Sequence, residues 1–496
     1  MRKLCVVALW AMVMASVIGS PAPAGTAHGK WDKLGPASAN FEQPGLARTS
    51  DGVLHAVWVR DNASEETKRD LLHAAISPEG TIGTTETIQA GWNFMWPTAD
   101  LVVTSDGGLR AVWAGQRSLD SAETNKQMST ATAPAAGSPW TLQTGDVTRG
   151  PGAGASTVGA GTGPAGSGPD LFSWGATQGV FVHLGTDSST PDHDYHAPLG
   201  GCCGYDPDIA IDAVTGKAWI AWYSNASGNE GVWAQEVDTA TGAPVGTAHQ
   251  MPGSVTAFQG EELSSQEIQR TPIIARAGGG IYVAYSAGYP SQTKIRLWSI
   301  GPDGPATTAA TIAKTSSSGP ELSAPALATD GGRVWVLWAK SDSSGRPHVY
   351  ARRSNAAVST FGRTVHAATP KTGECPSLYT ISANAQPSRV DVVTSLTAGC
   401  EADIELWHTQ LNPGLRIDSS HDSFTGKQKV TFTVTDAGDP ISGATVTVAG
   451  KNGTTGADGK VTITLGPYPS PKKLIATATL DGFVKDSTVI KAKPPA

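Results

Sequence analysis

A chain of 496 residues exceeds what one hydrophobic core usually serves, so it holds several domains or a repeat that extends its core unit by unit. Charged residues are only 16%, with 58 Gly and 33 Pro, yet 15 Trp and regular Val/Ile/Leu runs exclude a disordered chain and point to many short strands joined by turns. The net charge of −7 excludes a nucleic-acid partner, because phosphate binding needs a clustered basic face.

Arg2 and Lys3 open the chain, an apolar run from Leu4 to Ile18 follows, and Ala22-Pro23-Ala24 offers the small-x-small pattern of a signal-peptidase site. The run is shorter than the roughly 20 apolar residues that span a bilayer. Residues 1–24 are therefore expected to be a signal peptide, and the mature chain to be secreted, without a membrane span.

From there one pattern recurs: a short strand, a tight turn, an apolar strand ending in an aromatic, a polar loop, and another strand. Its copies are GLARTSDGVLHAVW ending at Trp58, ADLVVTSDGGLRAVW at Trp113, GPDLFSW at Trp174 and DPDIAIDAVTGKAWIAW at Trp222. RTPIIARAGGGIYVAY at Tyr285, APALATDGGRVWVLW at Trp338 and LYTISANAQPSRVDVV at Val393 complete the series. The period is about 56 residues, within the range of propeller blades. Asp51-Gly52, Asp106-Gly107 and Asp330-Gly331 supply hairpin turns, and the strands between are apolar at nearly every position, as in a sheet covered on both faces. Such units cannot bury their faces alone, so the ring must close. The fold expected over residues 25–414 is an all-β, seven-bladed β-propeller, with six blades as the alternative because the third copy is the most degenerate. GKWDKLG (29–35) is the strand available to complete the last blade.

Residues 415–496 break the period. Alternating strands separated by Gly-Asp-Pro, Lys-Asn-Gly and Ala-Asp-Gly turns predict a small Ig-like β-sandwich. Asp439-Pro440-Ile441-x-Gly443-Ala444 and Thr455-Gly456-Ala457-Asp458-Gly459 resemble the carboxypeptidase-regulatory-like, transthyretin-type sandwich, which implies a spacer or adhesion module.

Four cysteines remain after the leader: Cys202, Cys203, Cys375 and Cys400. Export favours disulfides, and the expected pairing is Cys375–Cys400 with a vicinal Cys202–Cys203 bond among Gly200, Gly201 and Gly204. Three loops carry most of the chemistry. Trp92, Phe94 and Trp96 form either a flat platform for sugar rings or a loop plugging itself with apolar side chains. Asp192, His193, Asp194 and His196 are candidate ligands for a divalent cation, the one cofactor the sequence leaves room for, or else a solvated turn. Glu261, Glu262 and Glu267, with Asp194 or Asp206, would supply the paired carboxylates of glycoside hydrolysis. His196 and Tyr205 would serve as base and acid in a polysaccharide lyase.

The repeats resemble the sialidase-like, BNR-repeat propellers. Ser354, Thr360 and Phe361 sit at Asp-box spacing, with Ala356 and Val358 replacing the motif's Asp and Gly; Gly137 and Trp140 fit a second box, with Ala135 in place of Asp. Arg270-Thr-Pro272 is similar to the Arg-Ile-Pro signature, and the resemblance implies Arg270 as a ligand-binding residue. The three arginines and Tyr–Glu pair of a working sialidase cannot be placed. The function expected is recognition of a glycan or cell-surface polymer by a monomer; a glycan-cleaving enzyme and a protein-binding scaffold are the alternatives.

Overall fold

The computed structural model describes residues 28–495 apart from 39–41, 66, 118–126, 148–156, 162–169, 177–178, 188, 196–203, 213–214, 258–268, 289–290, 303, 331, 371–376 and 398–403. Residues 1–24, Cys202, Cys203, Cys375, Cys400 and the disulfides expected between these cysteines lie outside the described residues. Among the described residues the protein is all-β; it has no α-helix, and no helix long and apolar enough to cross a membrane.

Seven antiparallel sheets follow one another along the chain before residue 415. The first is Gly45–Arg48, Leu54–Asp61, Arg69–Ile76 and Glu86–Trp92. The second begins with Phe94–Met95 and Asp100–Val103, both paired to Leu109–Gln116, and the third runs from Val158–Gly161 to His193–Tyr195. The degenerate third copy is thus a full four-stranded sheet. The first strands of the sheets touch in cyclic order, and Leu378–Gln386 of the seventh returns to Gly45–Arg48 of the first. This closed ring is a β-propeller. Trp31–Pro36 supplies the outer strand of the seventh sheet, antiparallel to Ile404–Leu411, so the two ends of the ring are sealed by hydrogen bonds.

The repeated aromatic explains the cohesion. Trp58, Trp113, Trp174, Trp222 and Tyr285 are almost wholly buried, each against side chains of the preceding sheet. Trp58 packs against Val393, Ile404 and Leu406 of the seventh sheet and donates its indole N–H to the Pro36 carbonyl at 2.9 Å. One residue therefore welds both sides of the closure. Burying an aromatic of this size contributes several kcal/mol, roughly what its truncation to Ala removes (about 3–5 kcal/mol).

From Arg416 onward two sheets enclose a core of their own, in which Val430, Phe432 and Val434 meet Val446, Leu474 and Ile490. The alternating burial of Gln428–Asp436 is what a strand with one wet face requires. These sheets dock on the sixth sheet rather than hanging from it. Arg353 donates to Asp436 through Nε (3.0 Å) and Nη2 (2.5 Å), both side chains being buried, and its guanidinium lies between the Trp335 and Phe483 rings. Arg333 holds Asp439 at 2.6 Å, and Arg363 holds Asp486 at 2.8 Å. The turn at residues 354–361 forms part of this seat. Asn355 Oδ1 accepts from the N–H groups of Ser359 and Thr360, closing the turn without the motif's Asp, while Thr360 bonds the Ala437 carbonyl.

A buried polar relay joins the first two sheets. His55 Nδ1 lies 3.0 Å from His73 Nε2, the rings stack at 5.2 Å, and His73 Nδ1 lies 2.8 Å from Glu86, which also accepts from Trp140 at 3.1 Å. One proton serves the His55–His73 contact; a proton on both nitrogens would set N–H against N–H. Burial pushes both imidazoles down, His55 to about 4 with help from the neighbouring His73 and against the pull of Asp51.

Two outcomes follow. Asp436→Ala leaves Arg353 buried and unpaired, at a cost on the order of 3–5 kcal/mol, and should appear in calorimetry as early release of the C-terminal sheets. The relay's stabilisation is present above the ordinary imidazole value of 6.5 and is lost as pH falls toward about 4. Melting temperatures of the native chain should therefore drop over that window more than those of His55→Gln.

Candidate functional site

The first strands of the repeats put equivalent residues at one level around the ring axis. Gly45, Asp100, Gly159 and Asp208 each face, across their hairpin, the residue just before the repeat aromatic: Val57, Val112, Ser173 and Ala221. Two acids alternate with two glycines. A Cβ at Gly45 would come within 2.5 Å of the Asp100 Cα, and one at Gly159 within 2.7 Å of Asp208 Oδ1, so a side chain at either place would displace an acid-bearing strand. Together with Gln43, Gln269, Arg270 and Ser382 the acids line an axial cavity of ≈ 220 Å³.

The two carboxylates differ in their bonding. Asp100 accepts the N–H of Leu101 on Oδ1 and of Ala160 on Oδ2, both at 2.8 Å, and so bridges the second and third sheets. Asp208 accepts the Ile209 N–H on Oδ1 at 2.9 Å and keeps a fifth of its side chain accessible. Burial pushes the Asp208 carboxyl up to about 8; Arg270 pulls it down and Asp100 pushes it further up. Asp100 is raised as well, by burial. Asp206, two residues before Asp208, is buried with φ at 52° and accepts from Thr157 at 2.9 Å; burial lifts it to about 7.

Arg270 reaches from the fifth sheet across the axis. Nη1 donates to the carbonyls of Ala99 (2.8 Å) and Val158 (3.3 Å), and Nη2 to that of Pro44 (3.2 Å). Its backbone N–H donates to Gln43 Oε1 at 2.6 Å. Asp100 and Asp208 stand at 3.6 and 4.0 Å from the guanidinium. The side chain is 6% exposed. Its donors are turned to the protein's own backbone, which corrects the expectation that Arg270 presents itself to a ligand.

The other predicted residues are placed elsewhere. Trp92 is 4% exposed, edge-on to Trp113 at 5.8 Å and beneath the Arg117 guanidinium at 5.4 Å. Phe94 and Trp96 cross at 87° with centroids 5.0 Å apart. The flat sugar platform is not formed; the aromatics of this loop pack on the second sheet and on one another. Asp192, His193 and Asp194 lie at and on the outermost strand of the third sheet, away from the axis, and Asp192 bonds the buried His183 at 2.7 Å. Among the described residues no group of three His, Cys, Asp or Glu could hold a metal ion. Tyr205 and Asp206 belong to the first strand of the fourth sheet. Glu261, Glu262, Glu267, His196, Cys202, Cys203, Cys375 and Cys400 lie outside the described residues.

Sequence reasoning missed Asp100, Asp208 and Gln43. The signal was an acid just before the apolar run of the first strand in two copies, Asp100-Leu101-Val102 and Asp208-Ile209-Ala210.

No family model matches this chain, and no curated protein sequence matches it. Solved propeller-like structures do. The polysaccharide lyase Uly1 aligns at 11% identity and TM-score 0.41, over 77% of this chain and 92% of its own. An α-L-arabinanase of Penicillium chrysogenum complexed with arabinobiose aligns at 12% and 0.41, over 63% and 94%. The six-bladed fucose-recognising lectin of Aleuria aurantia aligns at 13% and 0.36, over 75% and 93%. Likenesses this distant carry no argument about the chemistry of this chain.

Arg270→Lys should lower the melting temperature, because one ammonium cannot reach three carbonyls from three sheets. Circular dichroism should still show a β-sheet spectrum at room temperature.

Proposed function

We propose that this protein is a secreted, seven-bladed propeller that recognises a glycan by taking one sugar unit into its axial cavity, with the C-terminal residues 415–496 forming a transthyretin-type sandwich fixed to the sixth blade. The observation that carries the reading is the pairing of that cavity with Asp208. A carboxyl group held protonated near neutral pH is both donor and acceptor, and so matches a hydroxyl, which is the same. Gln43 and Gln269 add amides beside it, and Leu101, Ile209 and Ile273 supply the apolar wall that a ring's C–H face contacts. At ≈ 220 Å³ the space is below the roughly 300–1,000 Å³ of drug-sized ligand sites, which suits one ring rather than a chain buried end to end.

The same acid favours cleavage as a second reading. A protonated Asp208 is what a general acid must be, and Asp100 is the nearest candidate partner. Asp100, however, spends both oxygens on main-chain N–H groups and is itself raised, so it is poorly suited to be the ionised base or nucleophile. Binding is the stronger reading.

The test is retention of the native chain on a panel of immobilised glycans, with release of reducing ends or unsaturated products followed in parallel. Retention without release is expected, weakened at least tenfold by Asp208→Ala. Retention should also fall as pH rises through about 8, where Asp208 ionises, and Asp208→Asn should remove that dependence. Release of products abolished by Asp208→Asn would establish the cleavage reading. Silence in both assays, with the fold intact, would remove glycans from consideration.

A further inference from the structure

We propose that the axial site selects uncharged sugars and rejects those carrying a carboxylate. The inference rests on the axial cavity being the glycan site, and it sets the substrate class of that site against the one implied by the sialidase-like resemblance, whose members hold an acidic sugar with arginines.

Arg270 is the one cationic side chain lining the cavity among the described residues. An acidic sugar would need its guanidinium in a bidentate clamp, with two parallel N–H groups aimed at the carboxylate. Three of the five N–H donors instead hold the carbonyls of Pro44, Ala99 and Val158, and the Nε side of the group faces Asp208 at 4.0 Å. Recruiting Arg270 to a ligand would take one donor from each of three buried carbonyls and loosen the contact between three sheets. The other polar groups do not replace it. Gln269 donates to the Pro325 carbonyl, and Ser382 donates to that of Pro44 at 2.7 Å.

The burial of the site adds to the discrimination, because an ionised group taken out of water needs a counter-charge there. A ligand carboxylate would enter beside Asp100 and Asp208, on a wall whose single positive charge is already shared between them. With Asp208 protonated and Arg270 balanced by Asp100, that wall offers the ligand carboxylate no spare positive charge, so the cost of taking it out of water goes uncompensated. An uncharged ring meets none of this. Its hydroxyls accept from the Asp208 carboxyl and the Gln43 amide, whose oxygen is turned to the Arg270 backbone N–H. Specificity here comes from an unfavourable element built against the wrong ligand as much as from contacts to the right one.

The experiment is titration of the full mature chain at pH 7 with two matched sets of oligosaccharides. One set ends in neutral hexoses, pentoses or deoxyhexoses; the other ends in uronic or sialic acids of the same length and linkage. The expected result is a dissociation constant at least tenfold lower for a neutral set member than for its acidic counterpart. Raising the pH through about 8 should widen that gap, because ionised Asp208 then adds a like charge, and Asp208→Asn should keep the gap seen at pH 7 and lose the widening. Equal or tighter binding of the acidic set by the native chain would overturn the selectivity and leave glycan recognition standing. Binding of neither set would overturn the glycan reading itself, and the selectivity with it. A gap in the native chain that does not widen as the pH passes about 8 would overturn the role assigned to Asp208.

Discussion

A single guanidinium occupies the place where this ring is hardest to build. First strands converging on an axis bring their carbonyls together with few donors to match, and buried carbonyls left unpaired are costly. Arg270 answers that shortage by donating to Pro44, Ala99 and Val158, one carbonyl from each of three neighbouring sheets, from a backbone that belongs to a fourth. Arginine suits the place because its charge is permanent and its donors point in a fixed fork. The charge must itself be compensated in a buried setting, and Asp100 and Asp208 stand close enough to do so.

The chemistry of the axis descends from that arrangement. Asp100, bonded to main-chain N–H groups of two sheets, belongs to the scaffold; Asp208, with one oxygen committed, faces the cavity. One positive charge set against two buried acids cannot hold both ionised cheaply, and the more loosely bonded acid is the one raised to about 8. The glycines at Gly45 and Gly159 complete the design by letting the acid-bearing strands come close. A site that is neutral and well supplied with hydroxyl-like partners thus arises from the needs of ring closure.

The periphery shows the same economy. The turn of the sixth sheet that departs from the Asp-box pattern at Ala356 and Val358 has become a seat for the C-terminal sheets, with Arg353, Arg333 and Thr360 all reaching residues 436–439. A module held by a buried ion pair and two flanking rings keeps one orientation relative to the axis, which a flexible spacer would not. The His55–His73–Glu86 relay of the first sheet reaches the second through the Trp140 indole, which donates to Glu86, and its His55–His73 contact holds while one proton serves the pair.

The sequence by itself determined the repeat, its aromatic anchor and the strand that closes the ring, because these depend on local periodicity and on an apolar pattern that admits no other partner than a neighbouring copy. Its period also ends after residue 414, where one-sided alternation begins. It left the loop of Trp92, Phe94 and Trp96 open between a sugar platform and a loop plugging itself, because whether an aromatic faces solvent or the next sheet is decided by how the sheets splay, and no local pattern records that. Asp100 and Asp208 lie 108 residues apart and Arg270 another 62 beyond, and only the closing of the ring makes them neighbours. The likeness of Arg270-Thr-Pro272 to the Arg-Ile-Pro signature implied a ligand-binding arginine; in the closed ring its donors go to backbone carbonyls that come within reach only at the axis.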